Sequence, residues 1–371
     1  VILAIDAITA IPFAKLRLEN KIRTFVQAKI VSILINVGLN LIILLVLKPM
    51  HEQGSGPEFL KNIYRPEVGA GYIFLANLIG NASLFYWLKA EFKVFKWTWD
   101  WPELRSLWVY AYPIMFMSLA AMFNLMFDRL LLEEFLPESF YPGRSSQDAL
   151  GIYGNCYKLS VFMSLAIQAF KYSAEPFFLG KKAEANDQSN LALVTHWFII
   201  ICTFLWVGVS VNLFWIKTLF LRREIYWEGI GIVPILLLAN LFLGVYYTQS
   251  VWFKKTNKTY MGTIITLIGL VTTVAGNIIF IPKYGYMACA WSFLASSLVM
   301  MILCYLGGQK FDPIPYRWKA GLFYIILGYL CIVIGNKIQD YIDLPNIIRE
   351  NIGVFILLLF VVAFEFSWKG G

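Results

Sequence analysis

The stretch NKIRTFVQAKIVSILINVGLNLII, Asn20–Ile43, opens on a basic turn and then runs apolar, with Lys29 as its one later charge. A helix rises about 1.5 Å per residue, so about 20 apolar residues cross the ~30 Å hydrocarbon core of a bilayer. The pattern returns in NKTYMGTIITLIGLVTTVAGNIIF, from Asn257. At a constant offset of 237 residues, Asn20 meets Asn257, Lys21 meets Lys258, Val37 meets Val274, Asn40 meets Asn277 and Ile42 meets Ile279. Both copies follow a short basic turn. Both are followed by a glycine-tyrosine entry to the next span, GAGY at 69–72 and YGY at 284–286. The matched spans lie six spans apart. An even separation keeps their orientation, so the repeat is parallel, about an axis along the membrane normal.

The rest of the chain has the same character. Of 371 residues, 59% are hydrophobic and 15% charged. Ten spans are predicted, at 25–47, 68–88, 106–127, 149–178, 191–216, 229–253, 259–281, 286–306, 319–336 and 351–368. Residues 1–14 resemble the tail of another. They have no charged leader and no small-residue cleavage site, so they are not a signal peptide. The expected fold is all-α: a polytopic membrane protein of two six-helix bundles, the first incomplete, plus two C-terminal transmembrane helices. Residues 1–104 would be the remnant of the first bundle (spans 4–6), 105–306 the second bundle (spans 7–12) and 307–371 the two additional helices (spans 13–14). By the offset, about 130 residues are expected to precede Val1 in a complete protein of about 14 spans.

Charge gives an orientation. With KLRLENKIR (15–23) cytoplasmic and sides alternating from there, 17 of the 31 Lys and Arg fall in cytoplasmic connections and 11 on the opposite side. Lys29, Lys158 and Lys171 lie within spans. The bias follows the positive-inside rule and places the C-terminus in the cytoplasm. The net charge of +8 is then a matter of topology, and no nucleic acid is required as a partner. All connections are short, so the function lies within the bilayer. The five cysteines fall inside spans and pack as small apolar groups. The two histidines, His51 and His196, are far apart in sequence, and no metal site is expected. No P-loop, GxSxG or HExxH pattern occurs, and the chain is not read as an enzyme.

Charged groups in spans cost ~2.5–3.5 kcal/mol each on insertion scales, so they face cavities or partners. In KLSVFMSLAIQAFKYSAEPFFLG (158–180), Ser160, Ser164, Gln168, Lys171 and Glu175 share an arc of about 80° on one continuous helix, with Lys158 off the stripe. Lys171 and Glu175, four apart, read either as a structural ion pair or as a cation lining a cavity with a carboxylate beside it. Asn124, Asp128 and Arg129 form a second group, read as cavity-lining or as interfacial. Lys29, Ser32, Asn36 and Asn40 form a third, read as cavity-lining or as helix packing. Asp6 stands alone in the first segment. Asp6, Asp128 and Glu175 are the carboxylates able to carry H⁺ or bind Na⁺; no other cofactor is expected. Glu365 reads as interfacial.

The ordered segments AIDAITAIPFAKLRLENKIRTFVQAKIVSILINVGLNL, FDRLLLEEFL…ALGIYGNCYKLSVFMSLAIQAFKYSAEPFFL and WFKKTNKTYMGTIITLIGLVTTVAGNIIFIPKYGYMACAWS resemble the Wzx-like lipid-linked oligosaccharide flippases of the MATE-like MOP superfamily. The resemblance covers nearly the whole chain but lacks the family's first three and a half spans. It implies a V-shaped pair of bundles around a central cavity in the bacterial inner membrane. The implied cargo is an undecaprenyl-pyrophosphate glycan for O-antigen, capsule or exopolysaccharide, moved by alternating access. Its pyrophosphate would meet cationic side chains, with Lys171, Arg129 and Lys158 supplying them from the second bundle. Its lipid tail would lie in a groove suited to the last two helices. Membrane lipid and a polysaccharide polymerase are the further expected partners. A drug or cation antiporter and a peptidoglycan lipid-precursor flippase of the same fold are the alternatives.

Overall fold

The computed structural model describes residues 1–19, 21–53, 64–93, 99–138, 140–179, 187–338 and 346–366. The secondary structure among them is helical. Among the described residues, seven helices are long and apolar enough to cross a membrane, and the chain is a multi-pass helical membrane protein. Two compact units divide it, Val1–Asp100 and Trp101–Gly371.

In the first unit, α1 (Ile2–Leu18) is followed by α2 (Ile22–Leu41), which continues through a π-helical turn, Ile42–Leu47, into Lys48–Glu52. Then come α3 (Gly71–Ala82) and two short helical turns, Leu84–Trp87 and Lys89–Lys93. The expected span 68–88 is therefore interrupted at Ser83 and Leu88. The Ser83 hydroxyl donates to the Gly80 carbonyl at 2.6 Å, satisfying a carbonyl locally where the helix breaks. At Gly80 the backbones of α2 and α3 come so close that an added Cβ would stand 2.9 Å from the Ser32 carbonyl oxygen.

The second unit begins with α4 (Trp101–Phe135), longer at both ends than the span predicted there. Its internal Pro113 has no N–H to donate, and the Pro113 carbonyl accepts from the Thr263 hydroxyl at 2.7 Å. Next come α5 (Ser146–Lys158) and α6 (Val161–Leu179). These replace the single helix expected over 149–178. At the break, the N–H groups of Leu159 and Ser160 bond three residues back, and the Ser160 hydroxyl caps the Tyr157 carbonyl at 2.7 Å. The chain closes tightly there and restarts.

The unit continues with α7 (Asp187–Val211), α8 (Val233–Gln249), α9 (Thr259–Tyr284), α10 (Tyr286–Phe311), α11 (Trp318–Ile338) and α12 (Asn346–Val361). A 3-10 segment, Glu224–Ile232, leads into α8. Helix α9 packs along α4 and α10, α8 along α10, α7 along α11, and α11 along α12. Small residues set these approaches. A Cβ on Gly276 would stand 2.6 Å from the Ser292 hydroxyl. A Cβ on Gly353 would stand 2.7 Å from the Cys331 carbonyl oxygen. Close backbone contact is how helices gain packing energy in lipid, where apolar burial between them gains little.

Candidate functional site

Helix α4 buries Pro113, Ala120, Asn124, Asp128 and Leu132, residues spaced to share one face. Two of these are polar, and both find partners across the bundle. The Asn124 amide donates to the Ser296 hydroxyl at 3.1 Å and accepts from the Thr273 hydroxyl. Ser296 in turn donates to the Gly269 carbonyl at 2.7 Å. Asn124 thus ties α4 to α9 and α10. One turn on, the buried Asp128 carboxylate accepts from the Tyr153 hydroxyl of α5 and from the Arg129 backbone N–H at 2.8 Å.

Adjacent residues on a helix point about 100° apart. The Arg129 guanidinium accordingly leaves its neighbour's carboxylate and lies 4.5 Å from the centre of the Tyr157 ring. On α6, the Lys171 amine lies 3.5 Å from the centre of the Tyr247 ring of α8. The Tyr157 phenol is within electrostatic range of both Arg129 and Tyr247. Two half-buried cations therefore sit on two neighbouring tyrosines. A tyrosine face holds a cation with modest desolvation cost.

The remaining expected residues are placed as follows. On α6, Ser164 is half-buried and Gln168 exposed, while Ser160 lies in the break before the helix. Lys158 ends α5, exposed, and donates to the Asn155 side chain at 3.1 Å. The Glu175 side chain lies outside the described residues. In the first unit, Lys29 lies over the Phe13 ring at 4.5 Å, and Asn40 donates to Asn36 within α2. Asp6 has a partner that the sequence did not reveal, the Asn81 amide at 2.9 Å.

Several polar residues escaped the sequence reading. Tyr153, Tyr157 and Tyr247 are among them. Glu365, read as interfacial, has partners that the sequence did not reveal: it accepts from the Tyr324 hydroxyl at 2.9 Å and contacts His196 Nε2 at 2.8 Å. Two hydrogen bonds satisfy a carboxylate that the fold half buries.

Fold and site together define a multi-pass helical bundle with polar and cationic groups within its spans. A similar structure is that of a protein titled "Lipid II flippase MurJ, inward closed conformation", with a TM-score of 0.59 and 16% sequence identity. The match covers 82% of this chain and 64% of that one, so the chain spans a little under two thirds of the matched structure. At this identity the likeness is one of fold. No family model matches the sequence, and no curated protein matches it.

Proposed function

We propose that this chain forms part of a flippase for a lipid-linked glycan, with undecaprenyl-pyrophosphate oligosaccharide as cargo. The observation that carries the reading is the pair of cations, Arg129 and Lys171, held over Tyr157 and Tyr247 within the spans. A pyrophosphate head is the membrane cargo that repays two partly desolvated cations, because charge pairing strengthens where water is scarce. A glycan head adds hydroxyls that Ser164 and Gln168 would meet on the same helix. Alternating access would carry the head past the hydrocarbon core while the lipid tail stays in the bilayer. In this reading the protein lies in the bacterial inner membrane with its C-terminus cytoplasmic, and hands its cargo to a polysaccharide polymerase.

Among the described carboxylates, we assign ion or proton coupling to Asp128, which is 2% exposed within α4 and bound to Tyr153. A drug antiporter would favour an acidic cavity, and the two cations argue against it. The peptidoglycan-precursor reading has one specific support, the fold shared with a lipid II flippase.

One assay separates these readings. The encoded full-length protein is expressed in cells depleted of their oligosaccharide flippase and, separately, of their lipid II flippase. Rescue of surface polysaccharide in the first strain is expected, with Lys171→Gln reducing it at least about tenfold at equal abundance. Rescue only in the second strain would move the cargo to the peptidoglycan precursor. Full activity of Lys171→Gln would remove the cation–tyrosine pairs from the substrate path.

A further inference from the structure

Within the second unit, α7, α8, α10 and α11 enclose a cavity of about 520 Å³. That size falls in the range of small-ligand sites, about 300–1,000 Å³. Most of its wall is apolar, but four lining residues carry buried polar atoms with no hydrogen-bond partner among the described residues. These are Thr195 Oγ1, His196 Nδ1, Gln249 Oε1 and the Tyr316 hydroxyl. Thr195, His196 and Gln249 are 3%, 2% and 6% exposed. Orphaned buried polar atoms are costly and rare, and here four gather around one cavity.

The Thr195 hydroxyl would ordinarily bond the carbonyl four residues back, as Thr203 does to Ile199 at 2.8 Å. It does not. His196 Nε2 faces the Glu365 carboxylate at 2.8 Å and so carries a proton. Nδ1 is left without a partner among the described residues. Gln249 Oε1 is an acceptor. The Thr195 and Tyr316 hydroxyls can both donate and accept, so the cavity can pair with hydroxyl and ester groups alike, while the lining Arg317 offers an anion its charge.

The cavity also has a direction. Gln249, Tyr316, Arg317 and Trp318 stand at the ends of α8 and α11, beside the link between α10 and α11. Tryptophan and arginine favour the membrane–water boundary. From there each wall turns apolar: Gln249 gives way to Val245 and Phe242, His196 to Ile199, and Trp318 to Leu322 and Ile325. Polar groups thus line the mouth and hydrocarbon lines the depth. The cavity is also separate from the cation–tyrosine site. Phe242, Val245 and Gln249 share one face of α8, and Tyr247, two residues from each of the last two, points about 160° away.

We propose that this cavity is a binding site for an anionic glycerophospholipid with a hydroxyl-bearing head group, taken sideways from the adjoining leaflet. Arg317 meets its phosphate, the four orphaned atoms meet its head-group hydroxyls and ester region, and an acyl chain fills the depth. A phospholipid suits the site better than the cargo lipid because the mouth opens behind α8, away from Lys171. Occupancy would brace α8, which carries Tyr247.

The test uses the full chain in nanodiscs and native mass spectrometry, with phosphatidylglycerol, phosphatidylcholine and a polyprenyl phosphate as probes. Phosphatidylglycerol is expected to bind at least about tenfold more tightly than phosphatidylcholine. Arg317→Gln and Gln249→Leu should each erode that preference, and Ile302→Trp, at a residue of α10 that lines the cavity, should block the depth for any lipid. Arg317 is exposed, so its variant keeps the test sound should Gln249→Leu fail to fold. Equal binding of both phospholipids, or a preference unchanged in Arg317→Gln, would overturn the proposal as bulk lipid contact only. Preferential capture of the polyprenyl phosphate would overturn it in favour of a cargo site.

Discussion

At the scale of single residues, Asn124 shows how one polar group specifies a membrane bundle. It fixes α4 to α9 through Thr273 and to α10 through Ser296. Interhelical hydrogen bonds in membranes contribute about 0.6 kcal/mol on average and up to about 1.7, because the freed groups find other partners. Ser296 retains its bond to Gly269, so Asn124→Leu should lose only roughly 1–2 kcal/mol of unfolding free energy in mixed micelles. Combined with Thr273→Val, the loss should fall short of the sum of the two single changes. A fully additive pair would mean that the two groups are not coupled. Asn124 was legible as an in-span polar residue. Its partners lie 149 and 172 residues away and were not legible, because no local pattern relates them. The tyrosines under Arg129 and Lys171 were hidden for another reason: in an apolar run, tyrosine and phenylalanine read alike.

At the scale of helices and turns, glycine distinguishes contact from mere composition. Gly38 has no atom within 4 Å of where its Cβ would stand. Gly353 meets the Cys331 backbone, which cannot give way as a side chain would. In thermal melts, Gly353→Ala should destabilise by roughly 1–3 kcal/mol. Gly38→Ala should be neutral or stabilising by up to ~1 kcal/mol, since alanine favours helix. Equal effects would reject α11–α12 backbone docking.

The turn after α1 supplies a pH-dependent element. Lys15 and Lys21 both pair with Glu91, at 2.6 and 3.1 Å. The Lys15 and Lys21 hydrogen bonds, in that order, hold the Glu91 carboxyl below its ordinary value of 4.5. The lysines are correspondingly held above 10.5 by their carboxylate partners. A depressed carboxylate contributes stability fully above its unfolded value and loses it as pH falls through the folded one. Hydrogen exchange of residues 15–23, corrected for intrinsic rates, should show steady protection from neutral pH down to about pH 5 and weakening below 4.5. Glu91→Gln should flatten that acid limb; a limb left intact would assign it to another group.

At the scale of the whole molecule, helix existence was the most legible feature, because twenty apolar residues have few uses besides a membrane crossing. Helix continuity was less so. The break at Leu159–Ser160 depends on one hydroxyl turning back to its own backbone, a choice open to any serine in a span. Orientation still rests on charge. With Lys254 on the cytoplasmic side and Lys217 on the opposite side, single cysteines at those positions should label from opposite faces of intact cells. Labelling from the same face would undo the alternation between α7 and α8.

The His196–Glu365 contact spans 169 residues. A ribosome adding about 5–20 residues per second makes Glu365 roughly 10–30 s after His196. Throughout that interval the His196 imidazole lacks this partner. The cavity wall at His196 takes its final form only when the turn after α12, Val362–Phe366, arrives. Residue 365 therefore completes a site begun 169 residues earlier, and His196 Nε2 lacks its carboxylate in any nascent chain that stalls before it.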